Sequence, residues 1–345
     1  MLEVHLARLA DIAFEKAERN TVGFSASSPI HNSHKFLQLS NISFRYSPDS
    51  PLLFKNVNLK IRNNESVAII GSTGCGKSTL ARALLRLVPI TDGSVKLDGA
   101  DMAGLSSGEL REARTHAQMI FQDPYASLNP RMTVFNAIAE PMLAHGLADK
   151  ASVTGKVSAL MERVGLAPRL MRKYPHEFSG GQRQRIAIAR ALALKPRLII
   201  ADEPVSALDV SIQAQILNLI AQLCREENLT LIFITHDLSV VRHIAQNIAV
   251  MYLGRIVESG PARQVLDNPA HPYTQALLSA VPVPDPTIEK TRHRILLKGD
   301  PPSPMNPPPG CPFHPRCPVA ESRCADAVPP LESRSDDQRV ACIKV

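Results

Sequence analysis

The chain has 345 residues, of which 44% are hydrophobic and 21% charged, with no tryptophan; this is the make-up of a folded protein able to bury a core, not of a disordered chain. Its 39 Lys and Arg against 32 Asp and Glu give a net charge of +7, which suits an anionic partner such as nucleotide, nucleic acid or a membrane surface without choosing among them. No run of about 18 apolar residues exists, which excludes a membrane-spanning helix, and Glu3, Arg8, Asp11, Glu15 and Lys16 break up any secretory h-region, which predicts a cytosolic location.

Leu2, Leu6, Leu9 and Ala13 recur at helical spacing, and Gly23, Ser25, Ser27, Ser28 and Pro29 then mark a linker, so residues 1–35 read as an appendage. From residue 36 to 46 apolar positions alternate with a period near two, predicting a strand. Further short apolar runs, at residues 66–70, 198–201 and 229–235, alternate with helical segments, which is the order of an α/β fold with a largely parallel sheet. Residues 133–165 hold helical patterns without strands, predicting a helical subdomain inserted in that core. Past His271 the prolines from Pro301 to Pro318 forbid regular helix or central strand, so a separate, irregular C-terminal module is expected.

The first chemical signal is Gly71-Ser72-Thr73-Gly74-Cys75-Gly76-Lys77-Ser78-Thr79, between a strand-like and a helix-like segment. It fits the phosphate-loop pattern, in which curled backbone amides and a helix N-terminus cradle phosphates. Lys77 would reach the outer phosphates and Ser78 would place its hydroxyl on Mg²⁺; Cys75 reads as a small residue tolerated between glycines. The strand at 198–201 delivers Asp202 and Glu203 at its C-terminal end, where open α/β sheets bind ligands. Two acids after a strand are ordinarily solvated loop charges, but beside a phosphate loop they predict Asp202 at Mg²⁺ and Glu203 polarising the attacking water. A second anion site is predicted where Ser179, Gly180, Gly181 and Gln182 crown a helix. One ATP has no use for two cradles in one domain, so this second one is expected to serve another subunit's nucleotide in a head-to-tail sandwich.

These motifs, in this order with Gln122, Ser206-Ala207-Leu208-Asp209 and His236, resemble those of the ABC ATPase family over residues 36–270. The resemblance implies a P-loop core with a RecA-like parallel sheet, an antiparallel β subdomain and an inserted helical subdomain. It also implies that Tyr46 stacks on adenine, Gln122 links the Mg²⁺ site to the permease, Asp209 lines the dimer contact and His236 contacts the γ-phosphate. Each of these residues alone would be a packed strand tyrosine, a loop residue or a satisfied histidine. The signature opens with Phe178 where the family more commonly has Leu, an apolar residue in both cases.

Three further stretches are similar to the oligopeptide and dipeptide importer branch: residues 125–130, residues 174–177 and His271-Pro272-Tyr273-Thr274. The tail at residues 310–318 is similar as well. That resemblance implies a substrate among peptides or related nickel chelates, with two membrane permeases, an extracytoplasmic binding protein and a paralogous ATPase as sandwich partner, the last giving a heterodimer. Cys311, Cys317, Cys324 and Cys342 are separated by gaps of five, six and seventeen residues, which is not the zinc-ribbon pattern. With the resemblance they lead to the expectation of a [4Fe–4S] cluster, with zinc or free thiols as alternatives. A soluble ABC ATPase acting on nucleic acid or ribosomes is the competing reading. It is disfavoured by one uninterrupted domain with one set of motifs and by the lack of aromatic-basic interleaving, so no nucleic acid partner is expected. A degenerate regulatory subunit is disfavoured by Glu203, His236 and the complete signature. The expected divisions are therefore 1–35, 36–270 for the ATPase and 271–345 for the C-terminal module.

Overall fold

The computed structural model describes residues 35–281, 294–335 and 337–345. The helix and linker expected within residues 1–34 lie outside the described residues.

The chain enters on β1 (Lys35–Phe44), which pairs antiparallel with β2 (Phe54–Arg62). Phe36, Leu37, Leu39, Ile42 and Phe44 are all buried, and shifts of register around Asn41, whose φ is 53°, account for departures from strict alternation. The next strand, β3 (Ser66–Ile70), belongs to another sheet and leads directly into α1 (Lys77–Leu84). Then β4 (Asp92–Leu97) and β5 (Ala100–Asp101) complete a four-stranded antiparallel sheet in the order β2-β1-β4-β5. A short helix α2 (Ser107–Ala113) follows, opened by a reciprocal capping box between Ser106 and Glu109.

The second sheet takes up β6 (Ala117–Ile120), after which α3 (Pro124–Ser127), α4 (Val134–Ala144), α5 (Val153–Arg163) and α6 (Gly180–Leu192) run without an intervening strand. These form the inserted helical layer that the sequence predicts. Its core is made by Val134, Ile138, Met142, Val157, Met161 and Ile186, and Phe178 is buried in the same cluster, so its ring replaces an aliphatic side chain without being exposed. Full burial of each such side chain is worth about 1.5–3 kcal/mol.

The chain returns to the sheet with β7 (Leu198–Asp202), α7 (Val210–Glu226), β8 (Thr230–Thr235), α8 (Val241–Ile244), β9 (Asn247–Tyr252) and β10 (Arg255–Pro261). Strands β9-β3-β8-β7-β6 are parallel, and β7 and β8 are buried along their whole length, as their uninterrupted apolar runs predict.

After α9 (Ala262–Asp267) and α10 (Pro272–Ser279), the proline-rich tail forms two 3₁₀ turns and the two-residue strands β11 (Glu332–Ser333) and β12 (Arg339–Val340). It is irregular, as expected, but it does not stand apart. β12 pairs with β10, so the tail extends the central sheet to the order β11-β12-β10-β9-β3-β8-β7-β6. Phe313 from the tail enters a core cluster with Ile70, Val250, Tyr252 and Tyr273 beneath the start of the phosphate loop.

Candidate nucleotide site

The loop from β3 to α1 takes its shape from glycines at two points. A Cβ on Gly71 would lie 2.2 Å from the Met251 carbonyl oxygen, so only glycine lets the loop leave β3 this close to β9. Gly76 opens α1 at φ 100°, a left-handed conformation that a side chain would strain. Lys77 is buried, and its ammonium donates to the carbonyls of Gly71 and Ser72 at 2.8 and 3.0 Å. The Cys75 thiol lies 3.8 Å from that ammonium, yet burial raises its pKa, so it stays a protonated packing group. Gly74 lies in open space, with nothing within 4 Å of an added Cβ.

At the adjoining end of β7, the Ser78 hydroxyl donates to Asp202 Oδ1 at 2.8 Å. Asp202 is only 2% exposed, and burial pushes its carboxyl upward against the opposing effect of the Ser78 hydrogen bond. A hydroxyl and a carboxylate meeting beside a phosphate loop are a hard oxygen donor set, which fits Mg²⁺. Glu203 is next in the chain, 9% exposed, with its backbone in the left-handed region at φ 45°. That conformation is rare for a residue with a side chain and marks a position held by its surroundings. The backbone amide of Glu203 donates to Ile234 O at 2.9 Å. Its side chain lies between two partners: Gln122 Nε2 donates to Oε2 at 3.1 Å, and His236 Nδ1 is 3.1 Å from Oε1. Gln122 follows β6 and His236 follows β8, so three neighbouring parallel strands deliver three side chains to one point.

Tyr46 follows β1, with its ring edge-on to Phe44 at 5.0 Å and its hydroxyl 3.1 Å from that of Thr79. The ring is 69% exposed, a flat face free to stack at the side of α1. On the helical layer, Ser179 caps α6: its side chain accepts from Gln182 N at 3.4 Å while Gln182 Oε1 accepts from Ser179 N at 3.1 Å. Of the glycines between them, Gly181 is closely packed, since a Cβ there would fall 2.5 Å from Ile212, while one on Gly180 would meet the tip of Leu208 at 3.2 Å. Among the described residues, no hydrogen bond joins Ser179–Gln182 to the phosphate loop. Asp209 precedes α7 with an exposed side chain that makes no capping hydrogen bond.

Comparison with known proteins accounts for this arrangement. Residues 54–206 match the family model described as "ABC transporter". The oligopeptide transport ATP-binding protein OppF of Salmonella typhimurium is 55% identical over 290 residues, covering 84% of this chain and 86% of that protein. The chain belongs to the ABC transporter family. This ABC ATPase also matches, over residues 257–324, the model for the C-terminal region of oligopeptide/dipeptide transporters. Other relatives are the oligopeptide transport protein AppF of Bacillus subtilis, 52% identical over 83% of this chain and 87% of its own, and the di/tripeptide transport protein DppF of Pseudomonas aeruginosa, 49% identical over 83% and 88%. Among solved structures, cbiO1 of Clostridium perfringens superposes with a TM-score of 0.62 at 27% identity over 68% of this chain and 91% of that one. A dimeric post-hydrolysis form of the ATP-binding cassette MJ0796 bound to ADP and Pi gives 0.60 at 30% identity over 66% and 99%. As a member of this family the chain is an ATP-hydrolysing transport enzyme that binds ATP and Mg²⁺.

The iron–sulfur expectation is corrected. Among the described residues, no three His, Cys, Asp or Glu side chains are gathered so as to hold a metal ion, and the relatives are described simply as ATP-binding proteins. The physical reason lies in how the thiols are used. Cys311 and Cys317 pack partly buried against the cluster around Phe313, and burial raises both of their pKa values toward the protonated thiol. The backbone of Cys311 donates to Cys324 O at 2.8 Å, so the tail is folded by amide hydrogen bonds and apolar contact.

One site contact is missing from the sequence reading. The backbone N–H of Ser72 donates to the hydroxyl of Tyr273 at 2.9 Å, across 201 residues. Tyr273 stands in the same four-residue stretch that points to the peptide-importer branch, but no local pattern says that its ring turns toward the phosphate loop.

Proposed function

We propose that this ABC ATPase powers the import of di- or oligopeptides, working as one half of a head-to-tail ATPase pair with a paralogous subunit at the cytoplasmic face of the membrane. Two permeases and an extracytoplasmic peptide-binding protein complete the machine. The peptide cargo is supported by the relatives named for oligopeptide and di/tripeptide transport and by the match to the C-terminal region of such transporters. Those relatives also favour transport over action on nucleic acid or ribosomes. We assign residues 36–270 to the nucleotide-binding domain, residues 1–35 to an extension and residues 271–345 to the importer's C-terminal module.

The observation that carries the catalytic reading is the convergence of Gln122, Glu203 and His236 next to the Ser78–Asp202 pair. The amides of residues 71–79 and the Lys77 ammonium bind the phosphates of ATP, and the exposed face of Tyr46 stacks on adenine. Ser78 and Asp202, with Gln122 beside them, hold Mg²⁺, which when bound neutralises charge on the phosphate oxygens. Glu203 orients the attacking water and accepts its proton as the water becomes the nucleophile. His236, hydrogen-bonded to that carboxylate, contacts the γ-phosphate. Ser179, Gly180, Gly181 and Gln182 present a helix N-terminus to the partner's ATP, and Asp209 lies at the contact between the two subunits.

The test is reconstitution of the chain with its membrane partners in sealed vesicles. ATP-dependent uptake of a labelled oligopeptide is expected, and Lys77→Ala should abolish it by weakening ATP binding at least tenfold. Uptake that persists in Lys77→Ala, or ATP turnover without any peptide movement, would overturn the reading.

A further inference from the structure

We propose that Tyr273 is a positioning residue for the phosphate loop, through which the C-terminal segment sets the orientation of the Ser72 peptide and hence of Lys77. The inference rests on residues 71–79 being the ATP phosphate loop, and it assigns to the His271–Thr274 stretch a role in nucleotide affinity.

The geometry is a chain of fixed contacts. The amide of Ser72 donates to the Tyr273 hydroxyl at 2.9 Å, and the carbonyl of the same residue accepts from the Lys77 ammonium at 3.0 Å. The Gly71 carbonyl also accepts from Lys77 at 2.8 Å, and Met251 O leaves no room for a Cβ on Gly71. The first two residues of the loop therefore sit between β9 on one side and the Tyr273 hydroxyl on the other. A peptide held at its amide cannot rotate its neighbouring carbonyls freely, so the lysine's resting position depends on the tyrosine.

Tyr273 is itself held firmly enough to act as a reference point. Its ring is 2% exposed and packs against Tyr252 at 4.5 Å and Phe313 at 5.4 Å, both of them buried. Its backbone amide donates to His271 Nδ1 at 3.0 Å, and the amides of Ala270 and His271 donate to the buried Glu258 carboxylate, each at 2.9 Å. Glu258 also accepts from Gln338 Nε2 at 2.7 Å, and Phe313 comes from the cysteine-bearing tail. The tail thus forms the wall behind the tyrosine. Burial pushes the phenol up to about 12, so the hydroxyl remains neutral and able to accept throughout the physiological range.

A buried tyrosine hydroxyl is often nothing more than a satisfied core group, so the test must separate nucleotide affinity from folding. In the full-length chain, Tyr273→Phe removes one oxygen and keeps the ring. It is expected to weaken ATP binding five- to tenfold, to speed hydrogen exchange in the segment 66–77, and to leave the thermal midpoint nearly unchanged. In the reconstituted transporter the same variant should raise KM for ATP by a similar factor with kcat little altered. Phe313→Leu keeps the hydroxyl but loosens its seat, and should weaken ATP two- to threefold. Equal ATP affinity in Tyr273→Phe and wild type, or a fall in kcat with KM unchanged, would overturn the inference alone. Failure of the wild-type chain to bind ATP would overturn the phosphate-loop reading and this inference with it.

Discussion

Two buried glutamates belong to the same sheet, one just past the end of β7 and one within β10, and they are held in opposite ways. Glu203, at the end of β7, strains its backbone to φ 45° and meets two side chains, Gln122 and His236, each carried by a different strand. Glu258, within β10, has no exposed surface, and its carboxylate takes two backbone amides and the Gln338 amide at 2.7–2.9 Å. Side-chain partners leave a carboxylate free to exchange a proton or a ligand, whereas backbone donors hold it in a single arrangement. Burial alone does not distinguish a reactive carboxylate from a structural one; the nature and mobility of its partners do.

The largest expected difference between the two is in turnover. Glu203→Gln keeps the shape of the side chain and removes the base, so ATP hydrolysis should fall by a factor of about 10²–10⁴ while ATP still binds and the closed ATPase pair accumulates. Phosphate release assays and gel filtration with ATP would check this, and near-normal turnover would remove Glu203 from its role. Glu258→Ala should do the reverse. It removes the acceptor of two buried backbone amides and one of the two acceptors of the Gln338 amide, a loss of about 3–5 kcal/mol in folding stability, read by chemical denaturation. A variant as stable as wild type would show that water or a rearranged tail satisfies those donors.

The smallest effect concerns His271, beside Glu258, whose imidazole burial pushes down to about 4 from its ordinary 6.5. The folded state keeps this ring neutral while the unfolded chain takes up a proton below pH 6.5, so stability is complete above that pH and is lost as pH falls toward 4. Between pH 7 and pH 5 the loss is about 2 kcal/mol. In His271→Asn, which retains an acceptor for the Tyr273 amide, that part of the pH dependence should disappear. Denaturation midpoints at the two pH values, compared between the two proteins, provide the measurement, and an unchanged slope would sink the assignment to His271.

Much of the nucleotide side was legible because its chemistry is local. The turn from Gly71 into the helix at Lys77 and the cap that Ser179 and Gln182 form on their own helix are both made by residues close in sequence, so residue types at fixed spacing announce the shape. Asp202 and Glu203 were legible because an uninterrupted apolar strand delivers whatever follows it to the ligand edge of the sheet. The tail was legible only in its irregularity. Proline counts predict the absence of regular structure, but they do not predict that Arg339 and Val340 pair with β10 or that Phe313 enters the core. The cysteines led the reading toward a metal cluster, and all four do line one small pocket, yet among the described residues no three side chains are grouped so as to hold a metal ion.

By itself, then, the sequence determined the α/β order, the phosphate loop, the acids at the end of β7 and the signature cap, all set by interactions within a few residues of each motif. Only the tertiary structure decided that Glu203 would meet Gln122 and His236, that Glu258 would anchor the tail, and that Tyr273 would reach Ser72 across 201 residues. Those contacts depend on the order and spacing of strands in the finished sheet, and no local pattern encodes which distant side chain the sheet will bring alongside.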